Sequence, residues 1–279
     1  MFNRLFSFTP TLKESFILFL CVVLCGTILA LPTTFPQVKD IEIISTFLAY
    51  ILTLSPAFVY AWLKATREQY SPKYKINDPY FGRLHPAILF ALLPFILVAY
   101  LIVTEPASAA LTTPEWFDQL MKSTALGENA WCSILTTCIC APIMEEILCR
   151  GLMLRGMIEN GKHPAKAIIW SSIIFGILHM NPWQAIPAIL VGLLLGYMYY
   201  KTRCIWVPIV LHILNNSLST LLYYLFPEIP SDATFRGMIG DSQIYFAIFA
   251  ISIAVLALSY FTITKFVGKR NEQETVISA

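Results

Sequence analysis

Glu145, Glu146 and Arg150 sit close together in a run, Trp131 to Arg155, that is otherwise mostly apolar. Two further apolar runs each carry an imidazole, His179 and His212, and the second also carries the carboxamide of Asn216. Ionisable groups in such surroundings are costly and mark function by default. The residue types suit hydrolysis. A carboxylate can take a proton from water, and an imidazole with an amide can stabilise an oxyanion. Two histidines and a glutamate with a water also make a familiar catalytic zinc set. No His-Glu-x-x-His stretch occurs, so spacing leaves the metal question open.

Helical spacing assigns partners within each run. Glu146 and Arg150 are four residues apart, share a face and can pair, with the carboxylate on the favourable N-terminal side. A structural ion pair is slightly favoured over direct catalysis for these two. Glu145 is turned ~100° away and has no cation one turn on, which makes it the candidate general base. Pro142 has no N–H, frees the Cys138 carbonyl and predicts a local kink beside Glu145. His212 and Asn216 are also four apart and face one way. Phe175 is expected to pack rather than react, and His85 and His163 are assigned no role.

The elements that must carry these residues follow from composition. The chain has 279 residues, 57% hydrophobic and 13% charged, with a mean hydropathy of +0.67. Soluble domains average ~45–50% apolar and ~25% charged, so this is neither an ordinary soluble domain nor a disordered chain. A net charge of +2 is too mild to suggest nucleic-acid binding. A spanning helix needs ~20 apolar residues, and eight candidates are read: 15–33, 41–63, 86–103, 131–155, 165–180, 182–200, 205–226 and 243–267. The fifth is short and the fourth carries charges. Runs apolar nearly all round exclude the period-two pattern of barrel strands. The first span resembles a signal peptide in its basic flank but is long for one, and is read as an uncleaved anchor.

Placing the N-terminus in the cytoplasm puts 15 of the 19 Lys and Arg residues inside, leaves Lys39, Lys122 and Arg236 outside, and sets Arg150 within a span. That asymmetry supports both the orientation and the eight-span count. Counted at ~1.5 Å per residue from the cytoplasmic ends, Glu145, His179, His212 and Asn216 lie ~22, ~20, ~14 and ~20 Å deep. Spans four, five and seven can therefore share one cavity at mid-membrane, reached from the cytoplasm. The expected architecture is all-α, a polytopic membrane helix bundle with both termini cytoplasmic, forming one domain over 1–279. Gly192-x-x-x-Gly196 predicts close helix packing inside it. Trp131, Trp183 and Trp206 are expected as interfacial anchors. The seven cysteines lack any Cys-x-x-Cys pair and are expected as small buried hydrophobes rather than a disulfide framework.

The residues singled out also form three motifs in order on separate spans. These are Glu145-Glu146-Ile147-Leu148-Cys149-Arg150, Phe175-Gly176-Ile177-Leu178-His179 and His212-Ile213-Leu214-Asn215-Asn216. They resemble Glu-Glu-x-x-x-Arg, Phe-x-x-x-His and His-x-x-x-Asn of the CPBP family, the CAAX prenyl proteases and bacteriocin-processing, Abi-like enzymes. The resemblance covers about 130–225 at motif level. Cys149 stands where the family often carries an aromatic. The resemblance implies an intramembrane endopeptidase that cuts near the end of a membrane-associated or lipidated protein or peptide. It implies Glu145 as the base, with Glu146, His179, His212 and Asn216 completing the site. Arg150 would support the site or bind a substrate carboxylate. The family is often called metalloprotease, which implies one zinc ion on His179 and His212 with Glu145; a metal-free glutamate mechanism is the alternative. The expected partners are the substrate and the lipid bilayer, and the expected location is a bacterial inner membrane. Two other readings are a noncatalytic immunity or scaffold protein on a protease fold, and a proton- or ion-coupled transporter. The transporter would show matching inverted halves, and no such symmetry is visible.

Overall fold

The computed structural model describes residues 2–34, 42–68, 70–109, 111–126, 130–229 and 233–267. These residues form an all-α bundle. Its main helices are α1 (Leu12–Ala30), α2 (Glu42–Glu68), α3 (Pro86–Ser108), α4 (Glu115–Leu126), α5 (Trp131–Glu159), α6 (Pro164–Ile177), α7 (Pro182–Thr202), α8 (Trp206–Leu225) and α9 (Ser242–Val267). Each of the eight expected spans coincides with a helix, and α4 is an added amphipathic helix in the loop between spans three and four. Among the described residues, six helices are long and apolar enough to cross a bilayer: α1, α2 from Phe47, α3, α5, α7 and α9. The molecule is a polytopic membrane helix bundle.

The helix starts are written locally. Thr11 and Glu14 form a reciprocal capping box at α1, satisfying two otherwise orphan N–H groups. Pro86, Pro164 and Pro182 open α3, α6 and α7, where a missing N–H costs nothing. His85 Nδ1 accepts from the Ala87 N–H at 3.3 Å, which gives that residue a capping use.

Two helices depart from the span expectation, and both carry site residues. α6 has 14 residues, or ~21 Å, short of the ~30 Å hydrocarbon core. It stops at Ile177, so His179 belongs not to a spanning helix but to the turn joining α6 to α7. Met180 completes that turn with φ 54°, and the Asn181 side chain caps α7 by accepting from the Gln184 N–H at 2.8 Å. α8 has 20 residues but is not among the six bilayer-length apolar helices, because His212, Asn215 and Asn216 dilute its apolar content.

α5 is the central helix, with Leu148, Cys149, Leu152, Met153 and Leu154 all fully buried. One apolar cluster packs α1, α2 and α6 against it, and a second joins α3, α7, α8 and α9. Hydrophobicity drives little of this packing in lipid; close van der Waals fit and small residues do. Gly192 and Gly196 perform that task. A Cβ on Gly192 would lie 3.0 Å from the Ser172 side chain, and one on Gly196 3.1 Å from Ile168.

Arg155, counted on the cytoplasmic side, is fully buried. Its guanidinium donates to the carbonyls of Gly151, Tyr74, Phe6 and Phe8 at 2.6–2.9 Å. It ties the N-terminal segment and the α2–α3 loop to α5. Lys39, Lys269 and Arg270, also part of that count, lie outside the described residues, as does the C-terminus assigned to the cytoplasm. Of the cysteines, all free, Cys138, Cys149 and Cys204 are buried, whereas Cys25 is exposed on α1. Trp131 and Trp206 are exposed near helix starts, as interfacial anchors would be.

Candidate active site

The site begins with the way α5 carries its two glutamates. Ala141–Glu146 is ordinary α-helix, but wide π-type turns flank it at Leu135–Cys140 and Ile147–Leu154. Pro142 accounts for the first, because its nitrogen cannot bond back along the helix. The expected distortion beside Glu145 thus takes the form of a π-bulge, a feature frequent at functional sites.

Glu146 and Arg150 pair as their spacing predicts. Arg150 Nη1 donates to Glu146 Oε1 at 2.7 Å, and both side chains are fully buried. Arg150 Nη2 donates to the Gly192 carbonyl on α7 at 3.0 Å, and its guanidinium lies 4.6 Å over the Phe175 ring. The same Glu146 oxygen meets His212 Nδ1 at 2.9 Å. A carboxylate accepts, so Nδ1 carries the proton and Nε2 is left facing Glu145. Glu146 is therefore a positioning group for His212, made affordable in lipid by Arg150.

Glu145 is partly open, at 18% side-chain exposure, and its Oε2 lies 3.8 Å from His212 Nε2. That is too long for a direct hydrogen bond and suits a bridging water. Its Oε1 accepts a 2.7 Å hydrogen bond from the Tyr50 hydroxyl of α2. Sequence reasoning missed Tyr50. The available signal was a tyrosine well inside a span, since membrane tyrosines concentrate at the interfaces.

Phe175 holds the imidazoles, as a packing residue should. Its ring is edge-on to His179 at 5.2 Å and to His212 at 5.4 Å, and it is 2% exposed. His179 Nδ1 lies 3.0 Å from the Phe175 carbonyl, which orients the ring and leaves Nε2 free. The His179 carbonyl accepts from Asn181 Nδ2 at 2.9 Å. Asn181 also bonds Gln184, which reaches Met121 of α4. Asn216 points elsewhere than toward His212. Its Nδ2 donates to the Thr137 carbonyl at 2.9 Å, across to the π-bulged part of α5. Asn215 donates to Asn216 Oδ1 at 3.1 Å.

The structure thus gathers Glu145, Glu146, Arg150 and His212 into one cluster, joins His179 to it through Phe175, and sets Asn216 at its edge. The three motif segments converge from α5, the α6–α7 turn and α8. Residues 127–218 match the family model described as Type II CAAX prenyl endopeptidase Rce1-like.

Over those residues the chain is similar to the Rce1-like CAAX prenyl endopeptidases.

Over 89 residues the chain is 30% identical to a Bacillus subtilis (strain 168) protein described as "Putative membrane peptidase YdiL". That match covers 32% of this chain and 36% of the relative, so the chain spans about a third of the relative's length. No solved structure matches at the same stringency. The matched segment contains every candidate site residue named from the sequence, whereas Tyr50 enters from a helix outside it. Zinc was expected on His179 and His212 with Glu145. Among the described residues no three His, Cys, Asp or Glu side chains converge in a ligand arrangement. The expected three-residue zinc set is not gathered in this arrangement.

Proposed function

We propose that this integral membrane protein is an intramembrane endopeptidase that hydrolyses a peptide bond in a membrane-associated or lipidated protein or peptide. The observation that carries the reading is the facing pair Glu145 Oε2 and His212 Nε2 at 3.8 Å, with the far nitrogen of His212 held by a buried, neutralised Glu146. Two basic atoms flank one water-sized position. Glu145 takes a proton from the water there as it attacks the peptide carbonyl. Glu145 then returns that proton to the leaving amine. A second water, hydrogen-bonded to His212 Nε2 as acceptor, donates its other hydrogen to the oxyanion. His179 is held beside this pair from the α6–α7 turn through Phe175, and Asn216 braces α8 against α5. The match to the Rce1-like model and to a membrane peptidase supports the reaction class. A bacterial inner membrane and a tail entering sideways from the bilayer complete the proposal.

The test is cleavage of quenched CAAX-type and apolar peptides by purified protein in detergent. Glu145→Gln and His212→Ala are each expected to lose about 10²- to 10⁴-fold in kcat. Undiminished turnover in Glu145→Gln overturns the base assignment. A parallel arm with chelator and metal analysis measures metal dependence directly.

A further inference from the structure

We propose that Tyr50, on α2 and outside the matched core, is a positioning residue that dictates which oxygen of Glu145 meets the water; the inference rests on the peptidase reading. A carboxylate on a flexible stem presents two equivalent oxygens and several rotamers, and holding one geometry costs side-chain entropy. Here the two oxygens are distinguished. Oε1 accepts the Tyr50 hydroxyl at 2.7 Å, and the same hydroxyl lies 3.5 Å from the Ala141 carbonyl one turn before Glu145. Oε2 is left 3.8 Å from His212 Nε2. The phenol therefore pins the carboxylate from one side while the Glu146–His212 pair fixes the imidazole from the other. The reacting groups are each held by a partner on another helix. Glu145 is braced by α2, and His212 is braced by α5.

The surroundings favour this role over simple packing. A phenol at this depth needs a hydrogen-bond partner, because nothing in lipid supplies one. It finds one in the partly open carboxylate rather than in a backbone carbonyl of its own helix. Hydroxyls elsewhere on α2 show the contrast. Thr53, Ser55 and Thr66 each donate to a carbonyl three or four residues back. Tyr50 alone of these reaches across to α5. Tyr50 never touches the scissile bond in this scheme, so its loss should slow the chemical step and spare substrate binding.

The test is a comparison of wild type, Tyr50→Phe, Tyr50→Leu and Glu145→Gln in the peptide cleavage assay, with thermal unfolding of each measured in detergent. Tyr50→Phe keeps the ring and removes only the hydroxyl. It is expected to lower kcat about 10- to 100-fold, the worth of a hydrogen bond to a charged group, with KM changed less than twofold. Its unfolding temperature should stay near that of wild type, whereas Tyr50→Leu should lower both. A Tyr50→Phe enzyme with wild-type kcat, alongside an inactive Glu145→Gln, overturns this inference and leaves the peptidase reading intact. A Tyr50→Phe loss confined to KM overturns it as well, since the hydroxyl would then be serving substrate. An active Glu145→Gln removes the reading on which it rests.

Discussion

Glu146 and Arg150 are fully buried, share one 2.7 Å ion pair and also serve His212 and Gly192. Removing one partner of such a pair leaves an uncompensated charge and costs ~3–5 kcal/mol, whereas replacing both by apolar residues of similar volume is often neutral. Arg150→Met is therefore expected to unfold several degrees below wild type. The double variant Glu146→Leu/Arg150→Met should recover most of that loss in thermal unfolding. It should not recover peptide cleavage, because His212 Nδ1 has lost the carboxylate that orients its ring. A double variant with full activity would make the pair purely structural. Arg150 is also poorly placed to take a substrate carboxylate, since it is 0% exposed and already engaged on both amino groups.

At the scale of elements, the α6–α7 hairpin decides where His179 sits. Gly176 allows the two helices to touch: a Cβ there would fall 2.7 Å from the Ala185 carbonyl and 2.3 Å from Ile189 Cγ1. Gly176→Val must push the hairpin apart, and the expected result is loss of most cleavage activity with a lowered unfolding temperature. Met180 tests the turn itself. A left-handed φ costs an ordinary residue ~1–2 kcal/mol, against ~0.5–1 kcal/mol for the extra freedom of glycine in the unfolded chain. Met180→Gly should leave stability unchanged or raise it by up to about 1 kcal/mol, read as a small upward shift in thermal unfolding. Met180→Val should lower it. Equal effects of the two would mean that φ at 180 is not strained. The hairpin is also tied to α4 through Asn181, Gln184 and Met121, and α4 sets Trp116 edge-on and Phe117 tilted against Trp183.

At the scale of the whole molecule, the bundle is two apolar clusters that meet along α7 and α8, each of which contributes to both. Arg155 and the four carbonyls it serves fasten the N-terminal segment and the α2–α3 loop to α5. The charge asymmetry makes a topological prediction. A fluorescent-protein fusion after Lys75 and an alkaline-phosphatase fusion after Thr112 should both be active in a bacterial host, placing the α2–α3 loop inside and the α3–α5 loop outside. The reverse pattern would overturn the assigned orientation.

Much of this was legible in the residues. Long apolar runs mark helices because the bilayer forbids unpaired backbone. Helical spacing pairs Glu146 with Arg150 because residues four apart share a face. Both are local rules, and both hold in the structure. The rest depends on neighbours that are remote in the chain. His179 lies in a turn, not a span, because α6 ends early and α7 must pack on Gly176. Arg155 is buried because Phe6, Phe8 and Tyr74 bring carbonyls to it. Asn216 turns to Thr137 although its spacing from His212 suggested a shared task. Tyr50 reaches Glu145 from 95 residues away. A linear pattern encodes which face a residue occupies, but not what the opposing helix presents there; that is set when the helices pack.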